Sequence, residues 1–366
     1  MKHTGYIKSL DGIRFLAVTL VLADHWTADR LGFPASYLGV CMFFVLSGFL
    51  ITRILLAAKE KDSELNRGHG FSLKQFYIRR TIRIFPLYYA VLAVLFVFNI
   101  PPVRDKFIWL VTYMTNNYMA LNNTWMGSVD HLWSLAVEEQ FYIFFPFVVL
   151  LLPLKRLPQV FVAFIFLAIG LRAFAFYQTG SWIPSYVLMP ACLDAFGLGA
   201  LLAYCLFYQK KRVLSVLSKP SSLLIGLIFY VLIVIFVKAT SEGHNMVSSV
   251  WLRLGESVLS FSLLGILVTN GLPGFTRFWE WKPFVYVGKI SYGIYIFHNF
   301  LYNEYHPVSG SPGVKLVQWL NESDNLLLSS LPVRVIALYA IVLVIASLSW
   351  YMFEKPVNKL KNRYGY

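Results

Sequence analysis

Three stretches of this sequence set ionisable side chains where a proton could be taken from one group and given to another. In the first, Ser9-Leu-Asp-Gly-Ile-Arg-Phe-Leu-Ala-Val-Thr-Leu-Val-Leu-Ala-Asp-His25, Arg14 and His25 stand 11 residues apart. At ~100° per residue that is about three helical turns, so both face one way, roughly 16 Å apart along the axis. In Leu132–Tyr142, Ser134 and Glu138 are spaced i, i+4 and share a face, with Glu139 turned ~100° aside. In Lys289–His298, Ser291, Tyr295 and His298 share a third face. An imidazole near a carboxylate can remove a proton from an alcohol and return one to a leaving group. The carboxylate then fixes the tautomer and stabilises the imidazolium. Asp11, three residues before Arg14, is placed to pair with it, and Asp24 is turned ~100° from His25 in a supporting position.

A fourth cluster offers binding, not proton transfer. Arg79, Arg80 and Arg83 lie at i, i+1 and i+4, just before Phe85-Pro86. Read alone they are a positive-inside anchor. Guanidinium also matches phosphate bidentately, and Arg14 would continue their positive path toward His25. A phosphate-bearing donor could enter along it. Of the other polar residues, His3, His69, His131, His244 and His306 read as loop or interface residues. Arg172 with Asp194, and Arg253 with Glu256, read as structural ion pairs. Cys41, Cys192 and Cys205 lack any CxxC spacing and read as packing residues. No HxxxH or carboxylate–histidine motif points to a metal.

The elements that must position these groups are membrane helices. Of the 366 residues, 58% are hydrophobic and only 14% charged, a composition that excludes an ordinary soluble domain. The net charge of +14 does not signal nucleic acid, because the basic residues sit in short segments between apolar runs and face anionic lipid. Apolar runs fall at about 10–30, 37–57, 84–101, 132–153, 159–179, 186–208, 221–240, 249–270, 284–303 and 332–353, each near the ~20 residues needed to span a bilayer. The first of them lacks a small-residue cleavage site and reads as a retained span. The expected fold is therefore an all-α polytopic membrane protein of about ten transmembrane helices.

Lys and Arg concentrate at the N-terminus (Lys2, Lys8), in the even connections and in the tail; the odd connections hold few. That asymmetry places both termini in the cytoplasm. With this orientation His25, Glu138 and His298 reach similar depth from three different helices. The cytoplasmic stretch 58–83 and the outer stretch 102–131 are long enough for structure of their own, and 304–331 reads as a lid or loop. Trp125, Trp133 and Tyr295 could stack on sugar rings, although an aromatic membrane belt is the favoured reading.

The residues resemble the membrane acyltransferase-3 family over nearly the whole chain, in six ordered blocks. These are Leu10-Asp-Gly-Ile-Arg-Phe-Leu-Ala with Arg-x10-His ending at His25, Phe43-Phe-Val-Leu-Ser-Gly-Phe-Leu-Ile51, Arg79-Arg-Thr-Ile-Arg-Ile-Phe-Pro-Leu-Tyr88, Leu132-Trp-Ser-Leu-Ala-Val-Glu-Glu-Gln-Phe-Tyr142, Ser291-Tyr-Gly-Ile-Tyr-Ile-Phe-His298 and Phe353-Glu-Lys-Pro356. The resemblance implies a multi-pass protein of the bacterial inner membrane. It implies O-acylation of a cell-envelope glycan, such as a lipopolysaccharide O-antigen or an exopolysaccharide, or of a lipid-linked sugar. The donor would be a cytoplasmic acyl-CoA, most simply acetyl-CoA, with no metal. It gives His25 the central role with Arg14 beside it, and matches Arg80 with Arg83 and Ser134 with Glu138 to family motifs. Direct transfer and an acyl-histidine route both remain open. Some members carry an extra hydrolase-like domain. This sequence stops at Tyr366 without one, so the expectation is transfer within the membrane part or hand-over to a partner. The rival reading is a transporter of glycans or lipid-linked sugars, which would not need His25 or consume acyl-CoA.

Overall fold

The computed structural model describes residues 5–240, 243–307, 311–323 and 325–364; Lys2, His3 and Tyr366 lie outside them. The described residues are all helical, with no strand. In chain order the helices are α1 (Ser9–Thr27), α2 (Ala35–Glu64), α3 (Gly70–Val97), α4 (Phe107–Val111), α5 (Thr115–Asn122), α6 (Leu132–Leu151), α7 (Leu157–Thr179), α8 (Trp182–Val187) and α9 (Leu193–Phe207). They continue with α10 (Lys211–Leu217), α11 (Pro220–Thr240), α12 (Arg253–Val268), α13 (Pro273–Trp279), α14 (Lys282–Leu301), α15 (Pro312–Asn321), α16 (Leu331–Ser349) and α17 (Lys355–Lys359).

Among the described residues, eight segments are long and apolar enough to cross a membrane: those built on α2, α3, α6, α7, α9, α11, α12 and α16. The two other expected spans, α1 and α14, have the length at 19 and 20 residues but dilute their apolar character with polar groups. Those are Asp11, Arg14, Asp24 and His25 on one and Lys289, Ser291, Tyr295 and His298 on the other. Such groups are costly against lipid, and α1 is wrapped accordingly, packing chiefly on α2 and α14. The outward faces of α7 and α11 are apolar, with Phe166, Leu167, Ile225 and Leu232 exposed, as lipid contact requires.

Glycines set how closely the central helices approach. A Cβ on Gly288 of α14 would lie 1.9 Å from Asp11 O, and one on Gly39 of α2 would lie 2.5 Å from Ala17 O. Both crossings with α1 therefore bring backbone against backbone, as small-residue contacts between membrane helices allow. Gly48 and Gly199 do the same between α2 and α9, with Cβ positions 2.2 Å from Phe196 O and 2.0 Å from Val45 O.

Several boundaries depart from the hydropathy reading. The stretch 58–83 is mostly helix: α2 runs on to Glu64 and α3 begins at Gly70. The turn between them is held by Asp62, which accepts from Arg67 Nε (2.7 Å) and Ser72 Oγ (2.8 Å) and lies 3.0 Å from His69 Nδ1. Arg79, Arg80 and Arg83 thus lie inside α3, whose backbone continues through Pro86. The stretch 102–131 folds into α4 and α5. Tyr88 and Tyr89 of α3 donate to Leu110 O (2.8 Å) and Val111 O (2.9 Å), and Asn116 donates to Gln140 Oε1 (3.1 Å) and Val187 O (3.2 Å). Arg172 and Asp194 pair at 2.9 Å, fully buried. Arg253 does not pair with Glu256 as expected. It donates instead to Cys192 Sγ (2.9 Å) and Tyr186 O (2.8 Å), because Glu256 is turned into the core, where its Oε1 has no partner.

Candidate functional site

Two cavities lie along the inner helices. One, of about 230 Å³, is lined by Arg14, Arg80, Arg83, Ser134, Glu138, Glu139, Ser291 and the hydroxyl-bearing Ser47 and Tyr142, among others; it is called the arginine cavity below. The other, of about 850 Å³, is lined by Asp24, His25, Asp130, His131, His306 and a set of aromatic rings; it is called the histidine cavity.

The arginine cavity is built by α1, α2, α3, α6 and α14. Arg14 pairs with Asp11, as its spacing predicts, and Tyr6 also donates to that carboxylate. Arg80 and Arg83 appear in none of the ion pairs formed by the described residues. Arg80 instead lies over the rings of Tyr142 (5.1 Å) and Phe76 (5.7 Å). Two guanidinium groups that form no ion pair and share a cavity with Arg14 give it three cations against the two carboxyl groups of Glu138 and Glu139, a balance suited to an anionic ligand. Arg79 faces away from this space. Its Nη1 donates to Lys361 O (3.0 Å) and Tyr364 O (2.7 Å), fastening the C-terminal segment to α3. Glu138 accepts from Ser47, which is also 2.9 Å from the Tyr142 hydroxyl.

The histidine cavity is organised by a chain of imidazoles. His25 Nδ1 lies 2.9 Å from His298 Nε2, and His298 Nδ1 lies 2.6 Å from Tyr295 O. A carbonyl only accepts, so His298 carries its proton on Nδ1 and presents a lone pair at Nε2. His25 must then donate from Nδ1, which leaves its own lone pair on Nε2. The helix backbone thus fixes the tautomer of His25 through a second histidine, a role that second partners of imidazole commonly fill. Further support comes from the loop after α14: Glu304 N donates to His25 O at 2.8 Å, and the Tyr305 ring meets that of His25 edge-on at 6.4 Å.

His131 belongs to the same group. It is buried, its ring lies 5.1 Å from that of His298, and its Nε2 is 3.2 Å from Ile296 O. Asp130 beside it accepts from Asn299 Nδ2 (3.1 Å) and lies 3.3 Å from His306 Nε2. Burial pushes the Asp130 carboxyl up to about 7 and pulls His306 down. Around this centre Trp133 and Tyr186 lie 4.8 Å apart, Tyr37 and Tyr186 4.5 Å, Trp125 and Trp182 5.6 Å, and His244 stacks on Trp182 at 3.9 Å. Trp125 and Trp133 both line this cavity.

The spacing arguments hold for most pairs within a helix and fail in part between helices. His25 and His298 meet. Asp24 lines the histidine cavity beside His25 instead of standing behind it. Ser134 and Glu138 share the arginine cavity, with Ser134 Oγ 2.6 Å from the Tyr295 hydroxyl. Glu138, however, opens into a different cavity from His25, so no carboxylate of α6 orients the imidazole. The sequence reading passed over His131, Ser47 and Tyr142. His131 had a signal, for it stands three residues before Ser134 and seven before Glu138, on their face of α6. Among the described residues no cluster of three His, Cys, Asp or Glu side chains is arranged to hold a metal.

Several apolar helices that enclose an arginine cavity beside a histidine cavity describe a multi-pass membrane protein. A family model for an acyltransferase domain, the acyltransferase-3 type, matches residues 7–352. The chain belongs to the membrane acyltransferase-3 family. It is 29% identical over 380 residues to the peptidoglycan O-acetyltransferase OatA of Listeria monocytogenes, covering 97% of this chain and 56% of that protein. It is also 29% identical over 323 residues to the O-acetyltransferase OatA of Staphylococcus aureus, covering 81% of this chain and 51% of that one. The chain thus spans about half the length of these curated relatives. No solved structure matches it.

Proposed function

We propose that the protein is a membrane O-acetyltransferase. It takes an acyl group, most simply acetyl, from acyl-CoA on the cytoplasmic side and places it on a hydroxyl of a cell-envelope glycan. The observation that carries this reading is the combination of Arg80 and Arg83, which form no ion pair, in one cavity with the lone pair of His25 in the next. A cavity of about 230 Å³ is smaller than one that takes a whole drug-sized ligand. It accommodates the acyl end of the donor, while the phosphates meet Arg80, Arg83 and Arg14 at its cationic wall. Arg79, committed to the C-terminal segment, takes no part. In the histidine cavity the rings of Trp125, Trp133, Trp182 and Tyr186 offer flat faces to a sugar, and Asp24 and Asp130 offer polar contacts to its hydroxyls.

His25 Nε2 takes the proton of the acceptor hydroxyl as its oxygen bonds to the thioester carbonyl carbon. The carbon–sulfur bond breaks, and His25 returns the proton to the departing thiolate. His298 holds the imidazole in the required tautomer, and its Nε2 accepts the Nδ1–H bond that strengthens as His25 becomes cationic. The name of the Listeria relative makes peptidoglycan the first acceptor to test, ahead of a lipopolysaccharide O-antigen. Both termini, on the arginine side by charge asymmetry, would be cytoplasmic.

The test is CoA release by purified protein in nanodiscs, given acetyl-CoA with peptidoglycan fragments or envelope extract. We expect glycan-stimulated release that falls about 10²–10⁴-fold in folded His25→Ala. In Arg80→Ala and Arg83→Ala the KM for acetyl-CoA rises while kcat changes less. Wild-type protein that neither binds nor consumes acyl-CoA with any extract would put the glycan-transporter reading ahead.

A further inference from the structure

Tyr186 is the hub of the aromatic wall of the histidine cavity. Its ring centre lies 4.5 Å from that of Tyr37, 4.8 Å from Trp133, 5.6 Å from Trp182 and 6.4 Å from Trp125, and all five rings line the cavity. Trp182 and Tyr186 stand i, i+4 on α8, a helix of six residues, far too short to hold its shape in isolation. Its neighbours must therefore fasten it. Ser185 Oγ donates to Arg172 O (2.9 Å), and Val187 O accepts from Asn116 Nδ2 (3.2 Å). The third fastening is Arg253 of α12, which donates from Nη2 to Tyr186 O (2.8 Å) and from Nη1 to Cys192 Sγ (2.9 Å). Its guanidinium also lies over the rings of Tyr186 (4.5 Å) and Trp133 (5.9 Å).

Arg253 is buried behind the cavity lining and forms no ion pair among the described residues. A buried cation without a carboxylate is costly. Here a carbonyl and two ring faces take the place of the carboxylate, and a cation–π contact is strongest when desolvated. Building on the acyl-transfer reading above, we propose that Arg253 is a positioning residue for the acceptor. It sets the Tyr186 and Trp133 rings in the arrangement on which a sugar ring stacks. Its action falls on the glycan and not on acyl-CoA, because none of the five rings lines the arginine cavity. The planar fork is required, since one group meets a carbonyl, a sulfur and a ring face together; the point charge of a lysine does not.

The experiment measures the KM for acetyl-CoA and, separately, the half-saturating concentration of peptidoglycan fragments or envelope extract. The variants are Arg253→Gln, Arg253→Lys, Tyr186→Leu and the double variant of Arg253→Gln with Tyr186→Leu. Wild-type inhibition by free CoA identifies those that fold. We expect the half-saturating glycan concentration to rise about tenfold in Arg253→Gln, as loss of a desolvated cation–π contact implies, with the KM for acetyl-CoA unmoved. Arg253→Lys should recover only part of that loss. The double variant should bind glycan little worse than Tyr186→Leu alone, because residues acting through one contact do not add. Should Arg253→Gln not fold, Arg253→Lys, alone and with Tyr186→Leu, carries the same comparison. Unchanged glycan saturation in a folded Arg253 variant overturns the proposal and leaves the acyl-transfer reading intact. A loss shared equally with acetyl-CoA, or one purely additive in the double variant, does the same. Wild-type protein that consumes no acyl-CoA overturns both.

Discussion

At the scale of single residues, the proposed chemistry turns on the proton positions of the histidine chain. Replacing His298 by Gln keeps an acceptor for His25 Nδ1, whereas Leu removes it and leaves a buried donor unsatisfied, at a cost of about 1–3 kcal/mol. Folded His298→Leu should lose kcat by at least about tenfold, with the KM for acetyl-CoA little changed and the acid limb of the pH–rate profile displaced. His298→Gln should recover much of that rate; equal rates and profiles in the two variants would reduce His298 to a packing residue. Asp130 gives a separate pH signature. Its carboxyl moves from an ordinary 3.8 up to about 7 in the folded protein through burial, so the native state binds the extra proton. Stability must then fall as pH rises between about 4 and about 7. Thermal midpoints in detergent across that range should show the slope in wild type and a flatter line in Asp130→Asn.

At the scale of elements, much of the site was legible because a helix turns sequence spacing into direction. Arg14 with Asp11, Ser134 with Glu138, and Tyr295 with His298 fell on the faces that ~100° per residue assigns. The relation between helices was not legible. His25 and Glu138 sit at comparable expected depth, yet helix rotation sends them into different cavities, and rotation is set by contacts such as Gly288 on Asp11 that hydropathy does not encode. The α2–α3 turn was not placed for a related reason: 58–83 read only as a stretch long enough for structure of its own, and the three partners that Asp62 collects there are set by the fold. The tight crossing is testable. Gly288→Val puts a side chain where even a Cβ meets Asp11 O at 1.9 Å. It should lower the detergent melting temperature sharply and uncouple His25 from His298, with an overpacking cost of about 1–3 kcal/mol or more. Gly170 in α7 has open space around it, so Gly170→Ala should be neutral or stabilising by about 0.5–1 kcal/mol.

At the scale of the whole molecule, the eight apolar segments among the described residues and the two more polar helices α1 and α14 set the arginine cavity beside the histidine cavity. The proposed orientation predicts sidedness. In proteoliposomes with the termini outward, located by protease clipping of a terminal tag, acetyl-CoA should be consumed only when added outside, and glycan should be acetylated only when enclosed. Consumption from either side at equal rates would refute the orientation. Val40 and Tyr295 line both cavities. These two side chains stand between the arginine cavity and the histidine cavity and keep them from merging into one channel across the protein. The bilayer around a working molecule then remains electrically insulating, and turnover need not dissipate the ion gradients on which the rest of the cell depends.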